Sequence, residues 1–167
     1  TVVTVSSCST DIPPSSVTLI AHDSYVMSDD LVASFEETYN YDLKIVRAGD
    51  AGAMTNKLVL TKDEPLADVV FGIDNTFAPV ATKNNIIEGE LTPIDFADVC
   101  FNVDLEYFRT NNLAIPSNWR DLTKKEYKGL TVIENPNTSS TGLAFLVSTY
   151  AGFPPMTAGV ISPTVNW

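Results

Sequence analysis

Three apolar runs in the first half of the chain each break into a short polar turn at their carboxyl end: Val17-Thr-Leu-Ile-Ala-His-Asp-Ser-Tyr25, Leu43-Lys-Ile-Val-Arg-Ala-Gly-Asp-Ala-Gly52 and Ala67-Asp-Val-Val-Phe-Gly-Ile-Asp-Asn75. The crossovers between them run to roughly 20 residues, the span of a helix plus its loops and far more than a hairpin needs. This spacing predicts β-α-β-α-β, an α/β fold with an open parallel sheet. The polar turns of such a sheet gather along one edge, where ligands bind.

Between the first two runs, Ser28 is placed as the N-cap of a helix over 29–39, with Asp29 and Asp30 in its first turn and Leu31, Val32, Phe35 and Tyr39 on one face. Strands are expected at 17–21, 43–46 and 68–71, and a short helix near 53–60. Asp74 and Asn75 stand where they would cap a further helix running through Phe77, Ala78 and Val80 toward Lys83. The apolar stretch Leu91-Thr-Pro-Ile-Asp-Phe-Ala-Asp-Val-Cys-Phe-Asn-Val103 reads as a long strand that crosses from one lobe to another. Helical turns at 119–127 and a strand at 130–133 lead into Glu134-Asn-Pro-Asn-Thr-Ser-Ser-Thr-Gly142, which opens an apolar helix over 143–150. The expected organisation is a leader remnant and tether over 1–16, a first lobe over 17–94, a crossover strand over 95–103 and a partial second lobe over 104–167.

With 44% hydrophobic residues, the 167-residue chain can bury a real core. Its net charge of −11 argues against nucleic acid or an anionic membrane surface as partner, since both are held through Lys and Arg. A cationic ligand is favoured. No apolar stretch reaches the roughly 18 residues of a membrane span. Val5-Ser6-Ser7-Cys8 has the apolar-small-small-Cys order of a bacterial lipoprotein processing site, followed by a Ser/Thr/Pro tether, so a lipid on Cys8 is the expected membrane attachment. A chance match stays open. Cys100, in the apolar run Asp98-Val-Cys-Phe-Asn-Val103, is expected to be a buried, inert thiol. No CxxC, HExxH or Ser/His/Asp pattern occurs, so neither catalytic residues, a metal nor a cofactor is expected.

The site is therefore read from the turns. Gly49, Asp50, Ala51 and Gly52 bring backbone N–H groups to a helix start, where they either face an anion or form an ordinary strand–helix turn. Thr138-Ser-Ser-Thr-Gly142 repeats that logic with hydroxyls, through Ser139, Ser140 and Gly142. Asp23, Asp50, Asp74 and Asp95 are candidate anchors for a cation, Asp74 alternatively a helix cap. Tyr25 either stacks on a ligand ring or joins the core, and the single histidine, His22, is expected to be structural.

Taken in series, His22-Asp-Ser-Tyr25, Ala48-Gly-Asp-Ala-Gly52, 67–75, 91–102 and Val132-Ile-Glu-Asn-Pro-Asn-Thr-Ser-Ser-Thr-Gly-Leu-Ala-Phe-Leu146 resemble the thiamine-binding proteins of bacterial ABC importers. The resemblance implies a type II periplasmic-binding fold, with two lobes of parallel-type sheet flanked by helices, the second incomplete in this chain. Thiamine or its phosphates would be captured in the cleft, in the periplasm or at the outer face of the cytoplasmic membrane, and delivered to an ABC permease by a monomeric protein. It implies that Asp23 and Tyr25 line the cleft, that residues 49–52 face the phosphate or hydroxyethyl end, that Ser139, Ser140 and Gly142 grip that end from the second lobe, and that Trp167 matches a family tryptophan near it; Asp74, Asn75 and Asp95 are further candidate ligand-binding residues. Two alternatives stay open. One is a thiaminase-like transferase using Cys100 beside Asp98 or Asp95; the other is a binding protein for a polyamine, an oxyanion or ferric ion.

Overall fold

The computed structural model describes residues 14–152. The first half is the predicted α/β unit. Strand β1 (Ser15–Ala21) leads to helix α1 (Asp29–Tyr39), β2 (Tyr41–Arg47), α2 (Ala51–Leu60), β3 (Val69–Phe71) and the short α3 (Ala78–Lys83). The three strands are parallel in the order β2-β1-β3, with Leu19 opposite both Ile45 and Val69. Asp68 extends the β3 edge: its carboxylate accepts from the Thr18 amide at 2.8 Å and its own amide donates to the Thr18 carbonyl at 3.0 Å.

Local chemistry accounts for the helix ends. The Ser28 carbonyl, rather than its hydroxyl, takes the first α1 amides, those of Leu31 and Val32. Asn40 ends α1 in the left-handed region at φ 54°, which Asn tolerates better than most residues. Helix α2 starts at Ala51, two residues earlier than its sequence suggests, because the Asp50 carboxylate caps it.

The core lies beneath the middle strand. Ile20, Met54 and Thr55 are fully buried, with Ala21, Ala51, Phe77 and Ala81 around them. Burying Ile20 and Met54 stabilises the fold by roughly 1.5–3 kcal/mol each. Thr55 is tolerated there because its hydroxyl donates to the Ala51 carbonyl at 2.7 Å. The α1 face is covered far less: no α1 residue is fully buried, and Leu31 and Tyr39 stand out into solvent.

The second half departs from expectation. Residues 91–103 and 130–133, read as strands from their apolar content, pair with nothing in the sheet, because an extended run needs a neighbouring strand for its N–H and C=O groups. Cys100, expected to be buried, is consequently exposed. Helix α4 (Leu105–Thr110) follows, capped by Asp104 on the Tyr107 amide, and then two 3-10 turns, Asp121–Thr123 and Lys125–Tyr127. Helix α5 (Ser140–Gly152) begins three residues before the expected position, which puts Ser140 and Gly142 in its first turn. A small aromatic core holds this half together: Phe101, Trp119 and Phe145 meet edge to face at 4.5–6.1 Å, and Tyr127 is buried with its hydroxyl on the Ala114 carbonyl.

Candidate functional site

The parallel register brings the turns after β1, β2 and β3 to one edge, and specific contacts lock them together. Asp23 and Gly49 exchange two bonds: the Gly49 amide donates to the Asp23 carboxylate at 2.8 Å, and the Asp23 amide donates to the Gly49 carbonyl at 2.9 Å. Gly49 sits at φ 89°, a conformation that disfavours any side chain. The Arg47 guanidinium reaches across to the Tyr25 carbonyl through Nε and Nη2.

Above this frame the Tyr25 ring packs 4.9 Å from Phe71, and His22 lies 6.1 Å from Phe71 and edge-on to Tyr25. A Cβ on Gly72 would stand 2.5 Å from the His22 ring, so this glycine makes room for the histidine. His22 therefore serves packing. Tyr25 belongs to the aromatic cluster and is still partly exposed. Asp23 and Asp50 are exposed on the same edge.

Asp74 caps its turn: one carboxylate oxygen accepts from the Thr76 amide, the Thr76 hydroxyl and the Phe77 amide at 2.7–3.0 Å. Asn75 beside it is exposed. Asp95 is exposed on the unpaired segment 91–103, away from the paired strands. Cys8 and Trp167 lie outside the described residues.

The second turn meets the first directly. The amides of Gly52 and Ala53, at the start of α2, donate to the Thr138 carbonyl at 3.0 and 3.3 Å. The Ala51 amide is taken by Asp50 and the Gly49 amide by Asp23. The Gly49, Ala51 and Gly52 amides, expected to face a ligand anion, are thus occupied by the protein's own acceptors. Gly52 and Gly142 are both packing glycines: a Cβ on Gly52 would lie 2.4 Å from Phe77, and one on Gly142 would lie 2.5 Å from the Glu134 carbonyl oxygen.

Sequence reading passed over Glu134. Its carboxylate accepts from the buried Ser139 hydroxyl at 2.5 Å and from the Thr141 hydroxyl, while the Gly142 amide donates to Ser139 Oγ. The Ser140 hydroxyl oxygen is closed off from solvent with no hydrogen-bond partner among the described residues. The available signal was the acid five residues before Ser139 in a turn otherwise rich in hydroxyls.

A cavity of about 850 Å³ lies behind this turn, walled by Phe101, Trp119, Leu130, Val132 and Phe145, with Cys100 and Glu134 also among its lining residues. It opens where the extended runs 98–103 and 130–133 lack strand partners, and it reads as an incompletely filled apolar core. The strand-edge turns hold the better chemistry for a small ligand: carboxylates, aromatic rings and hydroxyls close together.

A family model for the bacterial extracellular solute-binding protein matches residues 64–163, which take in the turn after β3 and the 138–142 turn. The chain is also similar to the thiamine-binding periplasmic protein of Salmonella typhimurium strain LT2, 24% identical over 131 residues covering 68% of this chain. The thiamine-binding periplasmic protein of Escherichia coli K12 is 23% identical over 131 residues. The chain spans 39% of the length of each of these relatives.

Proposed function

Because the chain belongs to the bacterial extracellular solute-binding proteins, we propose that it takes part in capturing thiamine, or its phosphates, outside the cytoplasmic membrane for delivery to an ABC permease. The observation that carries this reading is the locked edge of the sheet. The Asp23–Gly49 exchange ties the turn that carries Asp23 and Tyr25 to the turn that carries Asp50, and both carboxylates are exposed. Carboxylates and an aromatic face suit a cationic heteroaromatic ring. Both curated relatives carry a thiamine-binding name, which supports the same ligand class.

In this reading the first wall of the site is Asp23, Tyr25, residues 49–52 and Asn75, with Asp74 capping the turn beside it. Ser139, Ser140 and Gly142 would form the facing wall, and Asp95 and Trp167 are further candidates for contact with the ligand. Binding follows from the two walls meeting over the ligand, and no residue performs chemistry on it. Attachment to the membrane surface would be through a lipid on Cys8.

Calorimetric titration with thiamine, its mono- and diphosphate, spermidine and ferric citrate tests the ligand class. The expected result is saturable heat with thiamine compounds and none with spermidine or ferric citrate. No heat and no thermal stabilisation by any thiamine compound would overturn the reading.

A further inference from the structure

We propose that Arg47 is a positioning residue for this site: its guanidinium fixes the turn that carries Tyr25 and so sets the aromatic face that a cationic ring would meet. The inference rests on the ligand reading above and deepens it.

Arg47 is the last residue of β2 and stands opposite Ala21, the last residue of β1. Its side chain therefore starts beside the point where β1 gives way to the 22–25 turn. Nε and Nη2 both donate to the Tyr25 carbonyl, at 3.3 and 3.2 Å. The rigid plane of the guanidinium makes this two-pronged grip possible, and a lysine ammonium reproduces it only in part. The rest of the turn is held by other bonds: the Tyr25 amide donates to the His22 carbonyl at 3.0 Å, and Asp23 exchanges its two bonds with Gly49. With both its amide and its carbonyl engaged, the Tyr25 backbone is restrained. Its ring is held 4.9 Å from Phe71 and 6.5 Å from His22, still partly exposed.

A guanidinium ordinarily pairs with a carboxylate. Here, in a chain of net charge −11, no ion pair to Arg47 forms among the described residues, and its bonds go to an uncharged carbonyl. A positive charge on this edge opposes a cationic ligand through space. The two effects of Arg47 thus have opposite signs. Removing the charge alone would strengthen the binding of a cation, whereas releasing the Tyr25 turn would weaken it.

That opposition of signs is the basis of the test. Arg47→Met keeps an unbranched apolar stem and removes both the donors and the charge. It should weaken the nuclear Overhauser contacts between the Tyr25 and Phe71 rings and lower thiamine affinity by about fivefold or more. Arg47→Gln, too short to make the same grip, should behave as Arg47→Met does, and Arg47→Lys should recover part of both losses. Thermal melts verify that the variants fold. Unchanged or tighter thiamine binding by folded Arg47→Met or Arg47→Gln would overturn the proposal, the tighter case leaving Arg47 only its electrostatic effect. Ring contacts identical to those of the wild-type protein would also overturn it, and that measurement needs no ligand. If the ring contacts respond as expected and no thiamine compound binds the wild-type protein, positioning by Arg47 stands and the ligand reading fails.

Discussion

The amide of Gly52 donates to the carbonyl of Thr138 at 3.0 Å, and this bond joins the strand-edge turn of the first half to the turn that opens α5. A Cβ on Gly52 would stand 2.9 Å from the Thr138 carbonyl carbon and 3.0 Å from the Asn137 oxygen. Both obstacles are backbone. Gly52→Ala should therefore destabilise the protein by about 1–3 kcal/mol, the usual range for overpacking a buried position. Urea denaturation measures it. Trimming Phe77 to Leu in the same chain should restore only part of the stability, since it relieves the 2.4 Å approach to the ring and leaves the two backbone contacts.

Asp23 separates support from recognition. Its carboxylate accepts the Gly49 amide, a bond that Asn can still accept. Asp23→Asn should leave the melting temperature almost unchanged and weaken thiamine binding. Asp23→Ala should in addition cost about 0.5–1.5 kcal/mol of stability. Paired calorimetry and thermal melts on the two variants check the split.

For Asp74 the opposite pattern is expected. One of its oxygens takes three donors from Thr76 and Phe77, so capping is its principal role. Asp74→Ala should cost about 1 kcal/mol, while Asp74→Asn should bind thiamine as the wild type does. A large loss of affinity in a stable Asp74→Asn protein would make it a ligand contact after all.

The Asp121–Lys124 pair gives the acid limb of stability a defined direction. A hydrogen bond from the Lys124 ammonium, with further bonds from the Ser117 amide and hydroxyl, holds the Asp121 carboxyl well below the usual carboxylate range. A carboxyl depressed on folding stabilises the fold above its unfolded pKa and loses that contribution as pH falls toward the folded value. Lys124, raised by the same bond, contributes below its unfolded pKa and loses its share as pH rises past it. The pair should thus contribute fully between the unfolded carboxylate pKa of about 4 and the unfolded lysine pKa of about 10, and fade only as pH moves beyond those values toward the shifted folded ones. NMR titration of Asp121 should show its protonation only in strong acid, and Asp121→Asn should flatten this part of the acid dependence.

Cys100 should react with a thiol reagent in the native protein at close to the rate of an exposed cysteine. Thiamine should neither slow the reaction nor be consumed. Product formation from thiamine, with labelling suppressed, would instead favour the transferase alternative.

Much of the first half was legible from spacing. Apolar runs separated by helix-length crossovers specified β1, β2 and β3 and their parallel direction, and Asp74 announced its cap by standing just before a helical pattern. The runs at 91–103 and 130–133 misled because apolar content records a tendency to be buried, while a strand also requires a partner of the right register. Cys100 followed its segment into solvent for the same reason.

The candidate turns were visible for a comparable reason: Ala48-Gly-Asp-Ala-Gly52 and Thr138-Ser-Ser-Thr-Gly142 carry small and hydroxyl residues where a helix begins, and that is a local property of the chain. Which acceptor each amide meets is not local. Thr138 reaches Gly52, and Glu134 turns back onto Ser139 and Thr141, only once the two halves and the α5 start are assembled in space. Residue type and spacing established that these turns can offer donors at one edge of a parallel sheet. Long-range packing determined that the Gly49 and Gly52 amides meet acceptors from other turns, the Asp23 carboxylate and the Thr138 carbonyl, because those partners lie far away along the chain and come within reach only in the folded molecule.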